Sequence, residues 1–161
     1  MNLHIGFTGT RFGMTHEQRD VIDSLIWNLG GSVRADLRER DAAHAHMGDC
    51  QGADKDFYDL CVEHGLWTVG HIPLDPHHRA FCRYDEARVP LGHLARNREI
   101  VHASTLMLAT PREATRQVRG GTWYTIDQTI KAKKPLVIVN PDGSILPNQE
   151  YLDWMAGSSP A

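Results

Sequence analysis

Apolar positions fall along this chain in short continuous runs, separated by stretches where they recur every three or four residues. Residues 3–8 form the first run, closed by Gly9-Thr10-Arg11, and predict a buried strand followed by a loop. Thr15 with Gln18 three positions later has the form of a capping box. Val21, Ile22, Leu25, Ile26 and Leu29 then mark one face of a helix that stops at Gly30-Gly31. The polar stretch 34–41 predicts loop. Residues 42–47 are a weaker strand candidate, because His44 and His46 interrupt the run. A helix follows from about Ala53, with Phe57, Leu60, Cys61 and His64 on one side and Gly65 at its end. Runs at 67–72, 105–109 and 136–139 predict three more strands, and 94–103 and 121–133 predict helices. Asn140-Pro141-Asp142-Gly143 is turn chemistry. Residues 151–155 suit a short amphipathic helix before a Gly-Ser-Ser-Pro tail.

Strands that alternate with helices, and that read as continuous rather than alternating apolar runs, imply an α/β fold with both sheet faces covered. With right-handed crossovers this is a Rossmann-like three-layer sandwich around a mainly parallel five-stranded sheet. The expected organisation is one domain over 1–161, with its core in 3–140 and an extension at 141–161. Ligands of such sheets collect beyond the carboxyl ends of the strands, where the strand order reverses. The loops 8–14, 48–54, 73–93 and 110–121 all leave strands at that edge.

Composition narrows the classes. At 161 residues, 41% hydrophobic and 23% charged, the chain is an ordinary globular domain. A net charge of −3 disfavours a nucleic-acid partner, which usually demands a basic surface. No stretch is long and apolar enough to span a membrane, and the first residues lack a signal-type core. Cys50, Cys61 and Cys82 are odd in number and form no CxxC pair, so reduced thiols and a cytoplasmic location are expected.

Two glycine-bearing stretches carry the candidate chemistry: Gly48-Asp49-Cys50-Gln51-Gly52-Ala53-Asp54 and Arg119-Gly120-Gly121-Thr122. Each follows an apolar run and opens a predicted helix. A helix start presents unpaired N–H groups and the positive end of a dipole, and glycine lets an anion come close. The first stretch matches neither GxGxxG nor the P-loop. Asp54 falls in the first helical turn, where it could compensate the dipole or bind a ribose hydroxyl. Thr122 adds a hydroxyl to the second cradle, or serves as an ordinary cap. Residues 71–88 hold His71, His77, His78, Cys82, Asp85 and Glu86, but the spacing fits no closed zinc pattern, and Pro73 and Pro76 point to an irregular lid or an oligomer contact. No metal site is expected. Phe81, Tyr84 and Trp123 could stack a base or plug the core.

Three motifs in order resemble the SLOG superfamily, Rossmann-like proteins that include the LOG phosphoribohydrolases, the DprA-type DNA-processing proteins and the YspA-type nucleotide binders. They are Gly6-Phe7-Thr8-Gly9-Thr10-Arg11, then Gly48 to Asp54, then Gly92-His93-Leu94-Ala95-Arg96-Asn97-Arg98 with Gly121-Thr122-x-x-Thr125. The resemblance implies a nucleotide-derived ligand whose phosphate sits on Gly48, Gly52, Gly121 and Thr122. It further implies ligand-shaping roles for Thr8, Gly9, Thr10, Arg11, Asp49, Gln51, Ala53, Asp54, Arg96, Asn97 and Gly120. A homo-oligomer is implied as well, and no further cofactor is required.

One departure bears on catalysis. LOG-type enzymes carry a carboxylate in PGG-x-GT-x-x-E, and the matching position here is Thr125. Asp127 lies two residues on, about 200° around the helix, and cannot serve the same face. The first expectation is therefore a domain that binds a nucleotide or a derivative. The alternative is an N-glycosidase acting on nucleoside monophosphates, with Arg96 holding phosphate and Asp54 or Asp49 as the carboxylate. Single-stranded DNA binding ranks third because of the acidic charge.

Overall fold

The structure, a computed structural model, describes residues 3–30 and 42–157. The loop expected at 34–41, Gly31 and the tail from Ser158 lie outside the described residues. In chain order the elements are β1 (His4–Gly9), α1 (His16–Gly30), β2 (His44–Met47), α2 (Ala53–Glu63), β3 (Trp67–Pro73) and β4 (Glu86–Leu91). They continue with α3 (His93–Ala103), β5 (Leu106–Thr110), α4 (Gly121–Lys131), β6 (Leu136–Val139), β7 (Ile145–Pro147) and α5 (Gln149–Met155). The strands form one sheet in the order β4-β3-β2-β1-β5-β6-β7, parallel except for the antiparallel β6–β7 pair. The α/β sandwich is as expected, with seven strands rather than five.

Both added strands lack the signal of a buried strand. β4 lies inside the segment expected to be irregular. It is an edge strand of the sequence Glu-Ala-Arg-Val-Pro-Leu, mostly exposed, and its proline is tolerated at an edge. β7 is three residues long and hangs from β6 by the 140–143 turn, where the Gly143 N–H donates to the Asn140 carbonyl. The C-terminal extension thus completes the sheet.

Two-residue periodicity sorts the strands between two cores. Ile5, Phe7, Ala45, Met47, Leu106 and Leu108 face α1 and α2, where Ile22, Ile26, Phe57 and Leu60 meet them. Phe7 and Phe57 stack with centroids 4.3 Å apart. Met107 and Ala109, the intervening residues of β5, face Ile100 and Val101 of α3 and Trp123 and Ile126 of α4. The capping box forms as read: Thr15 N–H donates to Gln18 Oε1 and Gln18 N–H to Thr15 Oγ1, each at 3.0 Å. The buried Gln18 amide also donates to the carbonyls of Pro111 and Val139, fastening α1 to the ends of β5 and β6.

Close approach of helices to β1 requires its glycines. A Cβ on Gly6 would stand 2.2 Å from both Met107 Sδ and Ser104 Oγ. A Cβ on Gly9 would stand 2.5 Å from the Ala53 methyl at the start of α2. Gly6→Ala is therefore expected to lower unfolding free energy by about 1–3 kcal/mol through overpacking, read as a fall in the urea midpoint at unchanged slope.

Candidate functional site

The strand order reverses at β1, whose neighbours β2 and β5 lead away in opposite directions. Beyond the carboxyl ends of these strands lies a cleft of about 640 Å³. Its walls come from the β1 loop (Thr8, Gly9, Thr10, Arg11, Phe12), the β2 loop (Gly48, Cys50, Asp54), the start of α3 (His93, Leu94, Arg96, Asn97) and the 112–123 segment (Arg112, Glu113, Arg119, Gly120, Gly121, Thr122, Trp123). His78 closes one side, its Nε2 3.3 Å from Arg11 Nη1. The two glycine stretches therefore meet at one cavity. Phe12, His78, Arg112 and Glu113 are cleft residues outside the expected set, signalled only by the edge position of their loops, while His93, Leu94 and Arg119 lie within the quoted motifs without an assigned role.

The two helix starts differ. At α4 no side chain caps the helix; Gly120 stands before it at φ 118°, and a Cβ on Gly120 would meet nothing within 4 Å. At α2, which also lacks a side-chain cap, the loop before the helix and its first amide are engaged. Cys50 N–H donates to Asp54 Oδ2 at 3.0 Å, Gln51 N–H to the His78 carbonyl and Ala53 N–H to the Thr10 carbonyl. The Asp54 carboxylate folds back onto the amide of Cys50 in the loop that precedes α2. Of the expected cradle at Gly48 to Asp54, only part reaches the cavity. Gly48 and Asp54 reach the cleft, whereas Asp49, Gln51, Gly52 and Ala53 do not line it.

Each of these four has another place. Gln51 is exposed. Gly52 has φ 85°, and a Cβ there would strike the Arg11 carbonyl, so it lets the β1 and β2 loops touch. Ala53 is fully buried under Gly9. Asp49, fully buried, accepts from Arg79 Nε at 2.6 Å, from Tyr84 Oη at 2.6 Å and from the Cys82 N–H at 3.1 Å. It pins the 77–84 segment to the β2 loop. Tyr84 accordingly packs against the core, while Phe81 is exposed under the Arg79 guanidinium and away from the cleft.

Arg96 is buried at the cleft wall. Its Nε donates to Asn97 Oδ1 at 2.7 Å and its Nη1 to the Gly48 carbonyl. Asn97 fixes the guanidinium, and its Nδ2 would stand 3.6 Å from a Cβ placed on Gly121. Burial pushes the Asp54 carboxyl up to about 6, against the Cys50 N–H and the Arg96 charge, which pull it down. The same burial raises the Cys50 thiol, which is no thiolate nucleophile at neutral pH. The other carboxylates are engaged elsewhere: Glu99 with His71 at 2.5 Å, and Asp127 with Arg116 at 2.5 Å. Thr125 is buried and donates to the Gly121 carbonyl at 2.8 Å. Among the cleft residues, Asp54 and Glu113 alone carry carboxyl groups.

Two substitutions separate the neighbouring aspartates. Asp49→Ala leaves Arg79 and Tyr84 unpaired and is expected to cost about 3–5 kcal/mol in chemical unfolding. Asp54 holds its proton more tightly folded than unfolded. Its stabilising contribution is complete below about pH 4 and is lost as pH rises through about 6. Asp54→Asn removes that loss, so the variant's unfolding free energy should gain on wild type by up to about 3 kcal/mol between about pH 4 and pH 7. A difference that stays flat over this range would contradict the raised carboxyl.

No protein-family model and no curated protein matches the chain. Solved structures do. A molybdenum cofactor binding protein from the phototrophic bacterium Rippkaea orientalis superposes with TM-score 0.63 at 19% identity, over 98% of this chain and 86% of that one. The molybdenum cofactor carrier protein of Chlamydomonas reinhardtii gives 0.54 at 16%, over 98% and 87%. DNA processing protein A of Streptococcus pneumoniae gives 0.59 at 15%, over 85% of this chain and half of that one. These proteins belong to the SLOG superfamily. At such identities the likeness concerns the backbone, and the SLOG fold that the three sequence motifs implied is the fold of this chain.

Proposed function

We propose that the cleft binds a phosphorylated small molecule of the nucleotide class. One observation carries the reading: the uncapped start of α4 opens into the same cavity as four arginines, Arg11, Arg96, Arg112 and Arg119, although the whole chain is acidic. Free helical amides and guanidinium groups together suit a phosphate. Apolar ring surface suits a flat heterocycle. Phe12 is largely exposed at the mouth, with the Arg112 guanidinium 4.2 Å from its ring centroid. Trp123 in the wall has a buried indole N–H without a partner, a donor that a ligand acceptor would satisfy. The small-molecule binders among the similar structures favour this reading over DNA binding.

A second reading rests on Asp54. A carboxyl held near 6 beside a buried arginine is poised for proton transfer at neutral pH, as N-glycosidic cleavage of a nucleoside monophosphate requires. Asp54 would then act from the β2 side of the cleft, in place of the acid absent at Thr125.

Isothermal calorimetry against nucleoside mono- and diphosphates, ADP-ribose and cyclic nucleotides tests the first reading. Phosphorylated compounds should bind, the matching nucleosides should not, and Arg96→Gln should weaken binding at least tenfold, about 1.4 kcal/mol. Failure of every phosphorylated compound to bind folded protein would refute it. Release of free base from a monophosphate, lost in Asp54→Asn, would establish the second reading; release that survives the substitution would remove Asp54 from it.

A further inference from the structure

At the opposite end of the sheet from the cleft, three imidazoles stand together. His4 opens β1 and His44 opens β2, paired in register, and His46 follows on the same face of β2. One ring nitrogen from each of the three lies within 4.8 Å of the others. It is the one group of three metal-ligating side chains so placed among the described residues. We propose that His4, His44 and His46 form a binding site for a late first-row divalent cation, zinc foremost, with the fourth position open to water.

The hydrogen bonds behind the three rings support this. Glu99 of α3 lies 2.5 Å from His71 Nδ1, so that nitrogen carries the proton and His71 Nε2 is left as an acceptor. His71 Nε2 is 2.9 Å from His46 Nδ1, which must then donate. His46 Nε2 is therefore a lone pair, and it points at His4 Nδ1, 2.8 Å away. A carboxylate thus sets, through one intervening imidazole, which nitrogen of His46 is free to ligate, as outer-shell carboxylates do at zinc sites.

The geometry needs only a small contraction. Metal–nitrogen bonds of about 2.0–2.1 Å in a tetrahedral shell place the nitrogens roughly 3.3 Å apart. The His4–His46 pair would open slightly from its hydrogen bond, the cation taking the place of the shared hydrogen as the His4 proton moves from Nδ1 to Nε2, and His44 would close in. The His4 and His44 rings meet edge-on with centroids 4.8 Å apart, and His4 is half-buried, which leaves a route from solvent. The histidine alternation of β2 that interrupts its apolar run finds a purpose here. Imidazole without thiolate suits zinc, nickel or copper rather than magnesium or calcium.

The full chain, stripped of metal with a chelator, is titrated with Zn²⁺ against a chromophoric competitor and, separately, with Co²⁺ while the visible spectrum is read. One equivalent should bind, and cobalt should show the intense bands of a four-coordinate nitrogen-rich site. His4→Asn and His44→Asn should each weaken binding at least tenfold, and Glu99→Gln by 10–100-fold through the His71 relay. His4→Asn, at the half-buried end, keeps the test valid should a more buried variant fail to fold, with circular dichroism as the check. Absence of binding, a six-coordinate cobalt spectrum, or binding lost in His77→Asn/His78→Asn but kept in His4→Asn would each overturn the proposal.

Discussion

Parallel pairing is the constraint from which the site follows. Six of the seven strands run the same way, so each of them ends at one edge and each connecting helix begins there. The reversal of order at β1 then separates the loops on its two sides and leaves a gap between them. Nothing about the cleft demands special residues to open it; the topology does so. What the residues decide is how closely α2, α3 and α4 approach. Gly6 and Gly9 set that distance, because side chains there would push α2 and the end of α3 away from β1.

Asp49 and Asp54 show how one turn can give two carboxylates opposite roles. Asp49 is fully buried and ion-paired with Arg79, with two further donors, so its burial cost is offset on every side. Asp54 has the backbone amides of Cys50 and Gly48 and a nearby arginine, and burial outweighs them all. The first is a fastener for the 77–84 segment; the second is a titrating group on the cleft wall. Asp54 places a carboxyl on the β2 side of the cavity, whereas the α4 start and Arg112 and Arg119 bring positive potential to the other. An incoming anion would meet that wall, and would face Asp54 on the other.

Much of this was legible in the chain. The apolar runs located five strands within a residue or two, and the Thr15–Gln18 pair located the α1 start, because those signals are local and period-bound. β4 and β7 escaped because an exposed edge strand needs no apolar run and a three-residue strand exists only by pairing. The joint placement of Gly48, Asp54, Arg96, Gly121 and Thr122 on one cleft agreed with the motif order. The divergence of Asp49 from Asp54 did not show, since which carboxylate receives Arg79 and Tyr84 depends on a segment thirty residues away, folding back over the β2 loop. Arg112 carried no pattern either; a loop acquires its role only when the helix after it is aimed.

The α3 helix joins the two ends of the molecule. Arg96 and Asn97 face the cleft, while Glu99, one turn from Arg96, reaches His71 and the histidine series beneath the sheet. At His71, burial works against protonation and Glu99 pulls the other way, with Arg88 and Arg96 adding smaller repulsions. One turn of a single helix therefore ties the cleft wall to the far end of the sheet, Arg96 holding the Gly48 carbonyl on one side and Glu99 the His71 imidazole on the other.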